Sequence, residues 1–486
     1  MADAAEIVNW VVGVALALST LVTLFLWTAP SQYDPFAHVK AQGPQAGETD
    51  EDAKFANQTR DRLSRSPEPQ KTLQVVVLGD IGRSPRMQYH AISFAKHGGK
   101  VDLIGFHESE LHPEVSSNKN ITIVPLVPTP SALQTNSKIL FLFTAPLKIL
   151  WQIWTLYHIL GYGTKPAKWM LVQNPPSIPT LAIAQWICFF RCTKLIIDWH
   201  NFGYSILALK LGPRHPFVRI SKFYERSFSQ RADTHFTVSN AMARMLQSTF
   251  NIKATTLHDR PASQFQPLTA EQRKTVLERL SETKEYAKDI QSGHWKLIVS
   301  STSWTADEDF GLLLDALQAY SSSARERQSL PNLLVIITGK GPQKEYYLDK
   351  IQSLNQEKKL DRMLISTAWL STEDYASLLG AADIGISLHK SSSGVDLPMK
   401  VVDMFGAGLP VLGWGKFEAW PELVREGING RGFGSAEELT RLLQEVLEGD
   451  GKQLQKLREG ASKESAIRWD DEWDEVAGKL FKFGRS

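Results

Sequence analysis

Short apolar runs rich in branched residues alternate with amphipathic stretches along most of the chain, and this alternation predicts parallel strands joined by helical crossovers. LQVVVL (Leu73 to Leu78) reads as a strand, Met87 to His97 as a helix stopped by Gly98 and Gly99, and Val101 to Phe106 as the next strand. Runs starting at ITIVPL (121), WMLVQ (169), KLIIDW (194) and THFTVS (234) continue the series. A charged segment, Leu268 to Gly293, interrupts it before a second series begins: KLIVSS (296), LLVIITG (333), MLIST (363), IGISL (384) and PVLG (410). Such continuous runs suit strands buried on both faces. The expected fold is α/β, two Rossmann-like domains facing across a cleft, with ligands at the carboxyl ends of the strands. GDIGR, VQNPPS, IDWHNFG, SSTSW, ITGKGP and SLHKSSSGVDLP all begin at such ends.

Two stretches break the soluble pattern. Val8 to Pro30 carries no charge, has Trp10 and Trp27 near its ends and follows no basic region, which favours an N-terminal transmembrane helix over a cleaved signal peptide. The flanking charges do not orient it. Ile139 to Leu160 is nearly as apolar but contains Pro146, Lys148 and His158, so a second span is not expected; an interfacial helix and a buried core helix both fit. Between them, Ala41 to Lys71 is polar and poor in large apolar residues, as a linker is. The expected organisation is an anchor at 1–33, a linker at 34–71, an N-terminal domain at 72–267, an interdomain segment at 268–293, a C-terminal domain at 294–465, and a C-terminal helix at 466–486 returning toward the N-terminal domain.

Composition changes this picture little. A net charge of +2 over 486 residues is too small to suggest a nucleic-acid footprint, but local basic clusters stay open and charge alone decides nothing; no nucleic-acid partner is expected. Cys188 and Cys192 in CFFRC are spaced as helix neighbours, which points to a reducing compartment.

The candidate chemistry is concentrated in HKSSSGVDLPMKVVDMFGAGLPVLG, residues 389–413. Serines and a glycine leave a strand, Pro398 suits a first helical position, and free N–H groups with Lys400 favour an anion such as a diphosphate. Asp396 and Asp403 flank this entrance; they suit hydroxyls such as a ribose diol, or equally a helix cap and an i,i+3 pair with Lys400. GDIGRSPRMQYH (79–90) is a poor dinucleotide fingerprint, because Gly79 and Gly82 are three apart and no third glycine follows. Ser84 is placed to cap the next helix and Pro85 to open it, while Arg83 and Arg86 stand where the helix dipole disfavours cations, so an anion there is the simplest compensation.

These motifs, with QNPPSIPT and IDWHNFGYSIL, closely resemble the chitobiosyldiphosphodolichol beta-mannosyltransferases, from the apolar run to the C-terminus. The resemblance implies a GT-B glycosyltransferase, an inverting beta-1,4-mannosyltransferase that moves mannose from GDP-mannose to GlcNAc2-diphosphodolichol early in N-glycan precursor assembly. It also implies a single-pass protein of the endoplasmic reticulum membrane with its catalytic domain in the cytosol, and assembly with other transferases of the pathway. The wider GT-B families carry two glutamates eight apart around this loop, whereas this chain has Asp396 and Asp403, seven apart. On this basis Asp403 is assigned to the ribose, Ser392, Gly394 and Lys400 to the diphosphate, Asp396 to the sugar, and Gly339 and Lys340 to the donor nucleotide. Gly82, Arg83 and Arg86 are assigned to the acceptor diphosphate; Gln173 and Asn174 line the acceptor sugar or a plain turn.

An inverting displacement needs a base for the acceptor hydroxyl and a charged cradle for the leaving diphosphate. His200 and Asp198, at the end of one apolar strand, and Asp80, at the end of another, are the base candidates. WDDEWDE at 469 suggests a solvated helix face rather than a metal site, and neither metal nor cofactor is expected. Glu308 is expected in a first helical turn, where acidic residues complement the dipole. The rivals are a GT-B transferase using another nucleotide sugar and a non-catalytic, membrane-tethered subunit that binds lipid-linked oligosaccharide and recruits active transferases.

Overall fold

A computed structural model of the chain describes residues 10–17, 19–20, 23, 28–37, 70–133, 138–305 and 308–483. The run Val8 to Pro30 lies partly outside these, and the linker from 41 to 69 wholly so. Among the described residues no helix is long and apolar enough to cross a membrane.

The predicted strands form, with apolar side chains facing both ways. β1 (Thr72–Asp80), β2 (Lys100–Phe106), β3 (Ile121–Pro125), β4 (Trp169–Asn174), β5 (Lys194–Trp199), β6 (Thr234–Thr237) and β7 (Thr255–Thr256) make one sheet in the order β3-β2-β1-β4-β5-β6-β7. β8 (Trp295–Ser301), β9 (Asn332–Thr338), β10 (Met363–Ala368), β11 (Ile384–Ser387), β12 (Val411–Trp414) and β13 (Gly430–Phe433) make a second, ordered β10-β9-β8-β11-β12-β13. Both orders follow the doubly wound pattern, in which the chain reverses direction across the sheet beside its first strand and opens a crevice there. In the first sheet that point lies between the carboxyl ends of β1 and β4, in the second between those of β8 and β11.

The chain divides into two units, residues 1–198 with 221–234, and residues 199–220 with 235–486. In the second, Leu439, Leu442, Leu443 and Val446 put the apolar stripe of the helix Ala436–Leu447 into the core, and Ser435 caps that helix by accepting from the Glu438 N–H at 3.2 Å. The charged segment 268–293 is folded here too: its helix Ala270–Arg279 carries Arg273, which pairs with Asp383 at 3.0 Å.

Several local expectations change. Ser84 does not cap its helix, Pro85–Lys96; its hydroxyl donates instead to the Asp80 carbonyl at 3.2 Å, while Pro85 does open the helix. Cys188 is buried on the helix Thr180–Arg191, but Cys192 has left it at φ 54° and is exposed, so the two thiols are free and are not helix-face neighbours. Ile139 to Leu160 falls mainly in the helix Lys138–His158, which buries Thr155 and Leu156 yet exposes Leu147, Leu150 and Trp154.

One close approach shapes the second crevice. A Cβ on Gly339 would fall 1.8 Å from the Thr302 carbonyl oxygen, and one on Gly341 1.8 Å from that of Ser303. Both positions need glycine because the loop after β8 lies directly on them. Gly341→Ala is expected to destabilise the protein by roughly 1–3 kcal/mol in a denaturant titration, because that loop must move.

Candidate active site

The loop after β8 is held by its own aromatic residue. Trp304 is buried at φ 50°, a conformation unfavourable for a bulky side chain, and is kept there by Phe310 (ring centroids 4.7 Å apart) and Tyr347 (6.2 Å). Glu308, 3% exposed, locks the same loop by accepting from the Thr302 hydroxyl at 2.5 Å and from the Ser303 N–H. Its other oxygen takes the Lys400 ammonium at 2.5 Å, and that ammonium also lies 3.1 Å from the Ser303 hydroxyl. Lys400 stands in the first turn of the helix Met399–Gly406, whose start at Pro398 has no side-chain cap. An ammonium with one face open, a serine hydroxyl and an uncapped helix start thus converge beside the second crevice, a geometry suited to a phosphate oxygen.

The serine loop is organised by Asp396, which accepts from Ser391, from Ser393 at 3.0 Å and from His389 at 3.0 Å. Burial alone would raise its pKa, but the His389 contact and the two serine hydrogen bonds hold it below the usual carboxylate range. Gly394, at φ +78°, donates its N–H to the Ser391 hydroxyl at 2.7 Å. Ser392 instead meets Asn201 at 3.2 Å and Ser205 at 3.3 Å. This brings His200, half-buried just after β5 and next to Asn201, to the edge of the serine loop within the second unit.

Asp403 behaves unlike Asp396. Burial, aided by the charge of Asp259, pushes its pKa up to about 8, so at neutral pH it is mostly protonated and can donate a hydrogen bond. The Tyr375 hydroxyl, 2.8 Å from Ser301 Oγ, is raised by burial and by Asp403. Lys340 lies over the exposed Trp369, 3.9 Å from the ring centroid.

In the first unit, Asp198 is fully buried and takes a bidentate pair from Arg86, Nε at 2.8 Å and Nη2 at 2.9 Å, with His90 Nε2 at 3.3 Å. Arg86 is itself 3% exposed. Asp80 Oδ1 accepts from the N–H groups of Gly82, Glu108 and Ser109 at 3.1–3.2 Å. Burial opposes the negative charge, but these bonds and one from the Ser109 side chain outweigh it and lower the Asp80 pKa. Arg83 remains exposed, its Nε 3.4 Å from Asp80 Oδ2. A Cβ on Gly82 would fall 2.7 Å from the carbonyl oxygens of Ser109 and Glu110. Asn174 Nδ2 donates to Glu225 at 3.0 Å, and Gln173 Nε2 to the Pro175 carbonyl at 3.3 Å. Gln173 Oε1 and Asn174 Oδ1, at the carboxyl end of β4, are buried with no hydrogen-bond donor, while Asp80 Oδ2, at the end of the paired strand β1, is buried beside Arg83 Nε.

Several assignments are therefore corrected. Arg86 is not a surface cation awaiting an anion, because Asp198 already neutralises it. Asp198 is wholly buried against Arg86 and does not present a free carboxylate to an open crevice. The Gly394 N–H is used inside its own loop, Asp396 organises the serine turn, and Lys400 pairs with Glu308 rather than with Asp403. Glu308 precedes the helix Phe310–Glu326, whose N-cap is Asp309, and so is no first-turn residue. In WDDEWDE both tryptophans are buried, and Glu472 pairs with Arg260 at 3.1 Å and His258 at 3.3 Å. Ser303, Lys390 (3.0 Å from Asp309) and Glu225 were missed: Ser303 and Lys390 lay inside the SSTSW and HKSSSG motifs already singled out, whereas nothing local marks Glu225.

Two doubly wound sheets of this order are the architecture of the GT-B fold, and solved structures agree with that fold. The chain resembles the Anabaena Alr3699/HepE complex with UDP and glucose (TM-score 0.58, 14% identity, covering 85% of this chain and 99% of that one) and the glycosyltransferase WaaG (TM-score 0.57, 13% identity, 85% and 98%). A scan against protein-family models matches none to this chain. Relatives named chitobiosyldiphosphodolichol beta-mannosyltransferase are 57% identical over 376 residues in Arthroderma benhamiae (76% of this chain, 84% of the relative) and 40% over 434 in Mus musculus (82% and 86%). One from Homo sapiens is 39% identical over 429 residues, 82% of this chain and 90% of the relative. The chain belongs to this beta-mannosyltransferase family and is a glycosyltransferase.

Two outcomes check this geometry. Asp198→Ala leaves the Arg86 charge buried and unpaired, so a loss of about 3–5 kcal/mol in folding stability is expected by chemical denaturation; a change below about 1 kcal/mol contradicts the pairing. Because the folded Asp403 pKa is raised, its contribution to stability is full below the unfolded value near 4 and is lost as pH rises through about 8. Wild-type Tm is therefore expected to fall relative to Asp403→Asn between about pH 5 and pH 9, and parallel curves contradict the buried, protonated carboxyl.

Proposed function

We propose that the protein is an inverting beta-1,4-mannosyltransferase that uses GDP-mannose as donor and the lipid-linked GlcNAc2-diphosphodolichol as acceptor. The observation that carries this reading is the Lys400 ammonium, held by Glu308 and Ser303 at the uncapped start of the helix Met399–Gly406. A nucleoside diphosphate arriving there meets a positive, hydrogen-bonding cradle, and the same group stabilises the charge that develops as the diphosphate leaves. Protonated Asp403 offers a donor hydrogen bond to a ribose oxygen.

His200 is assigned as the base that takes the acceptor hydroxyl proton. Asp198 is sequestered by Arg86, and three N–H groups make Asp80 a weaker proton acceptor. Gln173 Oε1 and Asn174 Oδ1, buried acceptors without donors, suit the hydroxyls of an acceptor sugar, with Asp80 close by at the end of β1. Exposed Arg83 takes over from Arg86 the reading toward the acceptor diphosphate. In this proposal no metal takes part, the run from Val8 to Pro30 spans the endoplasmic reticulum membrane once, the two units lie in the cytosol, and other transferases of the pathway are partners.

Lys400→Ala is expected to raise the KM for GDP-mannose and lower kcat by roughly 10²-fold, and His200→Ala to lower kcat by roughly 10²–10⁴-fold with little change in either KM. Arg83→Glu raises the KM for the lipid acceptor while sparing that for GDP-mannose. Steady-state kinetics on detergent-solubilised protein separate these outcomes, and the site map fails if the first two variants turn over normally. Displacement of bound GDP-mannose by UDP but not by GDP would sink the donor assignment, and loss of turnover in EDTA would sink the metal-free one.

A further inference from the structure

The end of the apolar run and the residues just after it are fixed to the first unit. Tyr162 donates its hydroxyl to the Thr28 carbonyl at 2.7 Å, the Tyr33 N–H donates to the Arg191 carbonyl at 2.8 Å, and a Cβ on Gly161 would touch Pro30 at 3.4 Å. The footing is firm, because the Arg191 guanidinium holds the carbonyls of Gly161 at 2.5 Å and Thr164 at 2.8 Å. Arg191 is the last residue of the helix Thr180–Arg191. The uncharged run ending at Pro30 therefore joins the folded unit at the end of that helix with no slack.

Two helices that pack on each other near this joint each expose an apolar stripe. Lys138–His158 shows Leu147, Leu150 and Trp154, at i, i+3 and i+7; Thr180–Arg191 shows Trp186, 60% exposed, and Phe189, 77% exposed. Beside the second lies a cavity of about 510 Å³ lined by Trp186, Cys188, Phe189, Phe190 and Leu195, with Arg231 and Asp233 as its charged residues. Large exposed apolar groups adjoining one another are rare on a soluble surface and mark an interaction site. Tryptophan beside apolar side chains, with Lys148 on the same helix, is the composition of an element lying in a membrane interface.

We propose that this face of the first unit rests in the headgroup and acyl boundary of the bilayer, and that the cavity beside Trp186 and Phe189 takes a lipid hydrocarbon chain. Its occupant is the bilayer, because the strap at Thr28 to Tyr33 ties the end of the apolar run to Arg191, on the same helix as Trp186 and Phe189. The inference rests on the reading of that run as a membrane span. A face so placed brings a lipid-borne acceptor to the enzyme along the membrane plane.

The test uses the full chain reconstituted in vesicles of phosphatidylcholine and phosphatidylinositol. A nitroxide is attached at Phe189→Cys in a Cys192→Gly background, since glycine accepts the left-handed conformation of residue 192. Collisions with oxygen are expected to exceed those with an aqueous nickel chelate severalfold. Equal or greater access to the chelate overturns the proposal, and so does shielding from both reagents, which means a protein cover. Trp186→Glu with Phe189→Glu, both at exposed positions, is expected to lower turnover of a long-chain lipid acceptor in vesicles severalfold while leaving a short-chain soluble acceptor unchanged; equal loss on both acceptors also overturns it. Release of the chain from vesicles by alkaline carbonate would instead break the reading of the anchor, a separate result.

Discussion

The contact between Lys400 and Glu308 is the constraint on which the second unit's site depends. Glu308 is almost wholly buried and already locks the loop after β8 through Thr302 and Ser303, so it needs a cation, and Lys400 supplies one from the first turn of an uncapped helix. A buried carboxylate left without its partner is costly, which holds the ammonium near the crevice in the absence of ligand. A diphosphate bound there then meets a cation already in position, and little reorganisation remains for the moment of bond breaking. The glycines at 339 and 341 serve the same end, since only they let that loop lie close.

The first unit uses its charges in the opposite way. Arg86 and Asp198 neutralise each other out of contact with water, and Glu225 gathers Asn174 at 3.0 Å and Ser177 at 2.6 Å. These pairs tie helices to strand ends. The amide oxygens of Gln173 and Asn174 are left without donors, and these are the groups the proposal offers to a hydroxyl-rich ligand. Polar groups spent on structure and polar groups held in reserve are thus adjacent along the chain, and composition does not distinguish them.

That adjacency explains what could be read in advance and what could not. The long strands were legible because runs such as LQVVVL and LLVIIT are buried on both sides of a parallel sheet, and the carboxyl ends marked the crevices. β7, two residues long, and β13, GRGF, carry too little apolar pattern to be recognised, although β13 completes the second doubly wound order. Arg86 was misread because its partner lies 112 residues away, and Lys400 because Glu308 lies 92 away; helix-dipole reasoning sees only local neighbours. Glu225 gave no signal in an amphipathic helix where a carboxylate usually faces water. The family was legible through long contiguous motifs, whereas the duties of single residues within them were set by tertiary partners.

The proposed activity is transfer of mannose with inversion to a lipid-linked chitobiose. The most direct measurement incubates purified protein with GDP-mannose and a GlcNAc2-diphosphate polyprenol, releases the glycan by mild acid and determines the new linkage by NMR. A single mannose in beta-1,4 linkage on the distal GlcNAc is the result the account predicts. An alpha-linked mannose, or no transfer by folded protein that binds both substrates, would contradict it.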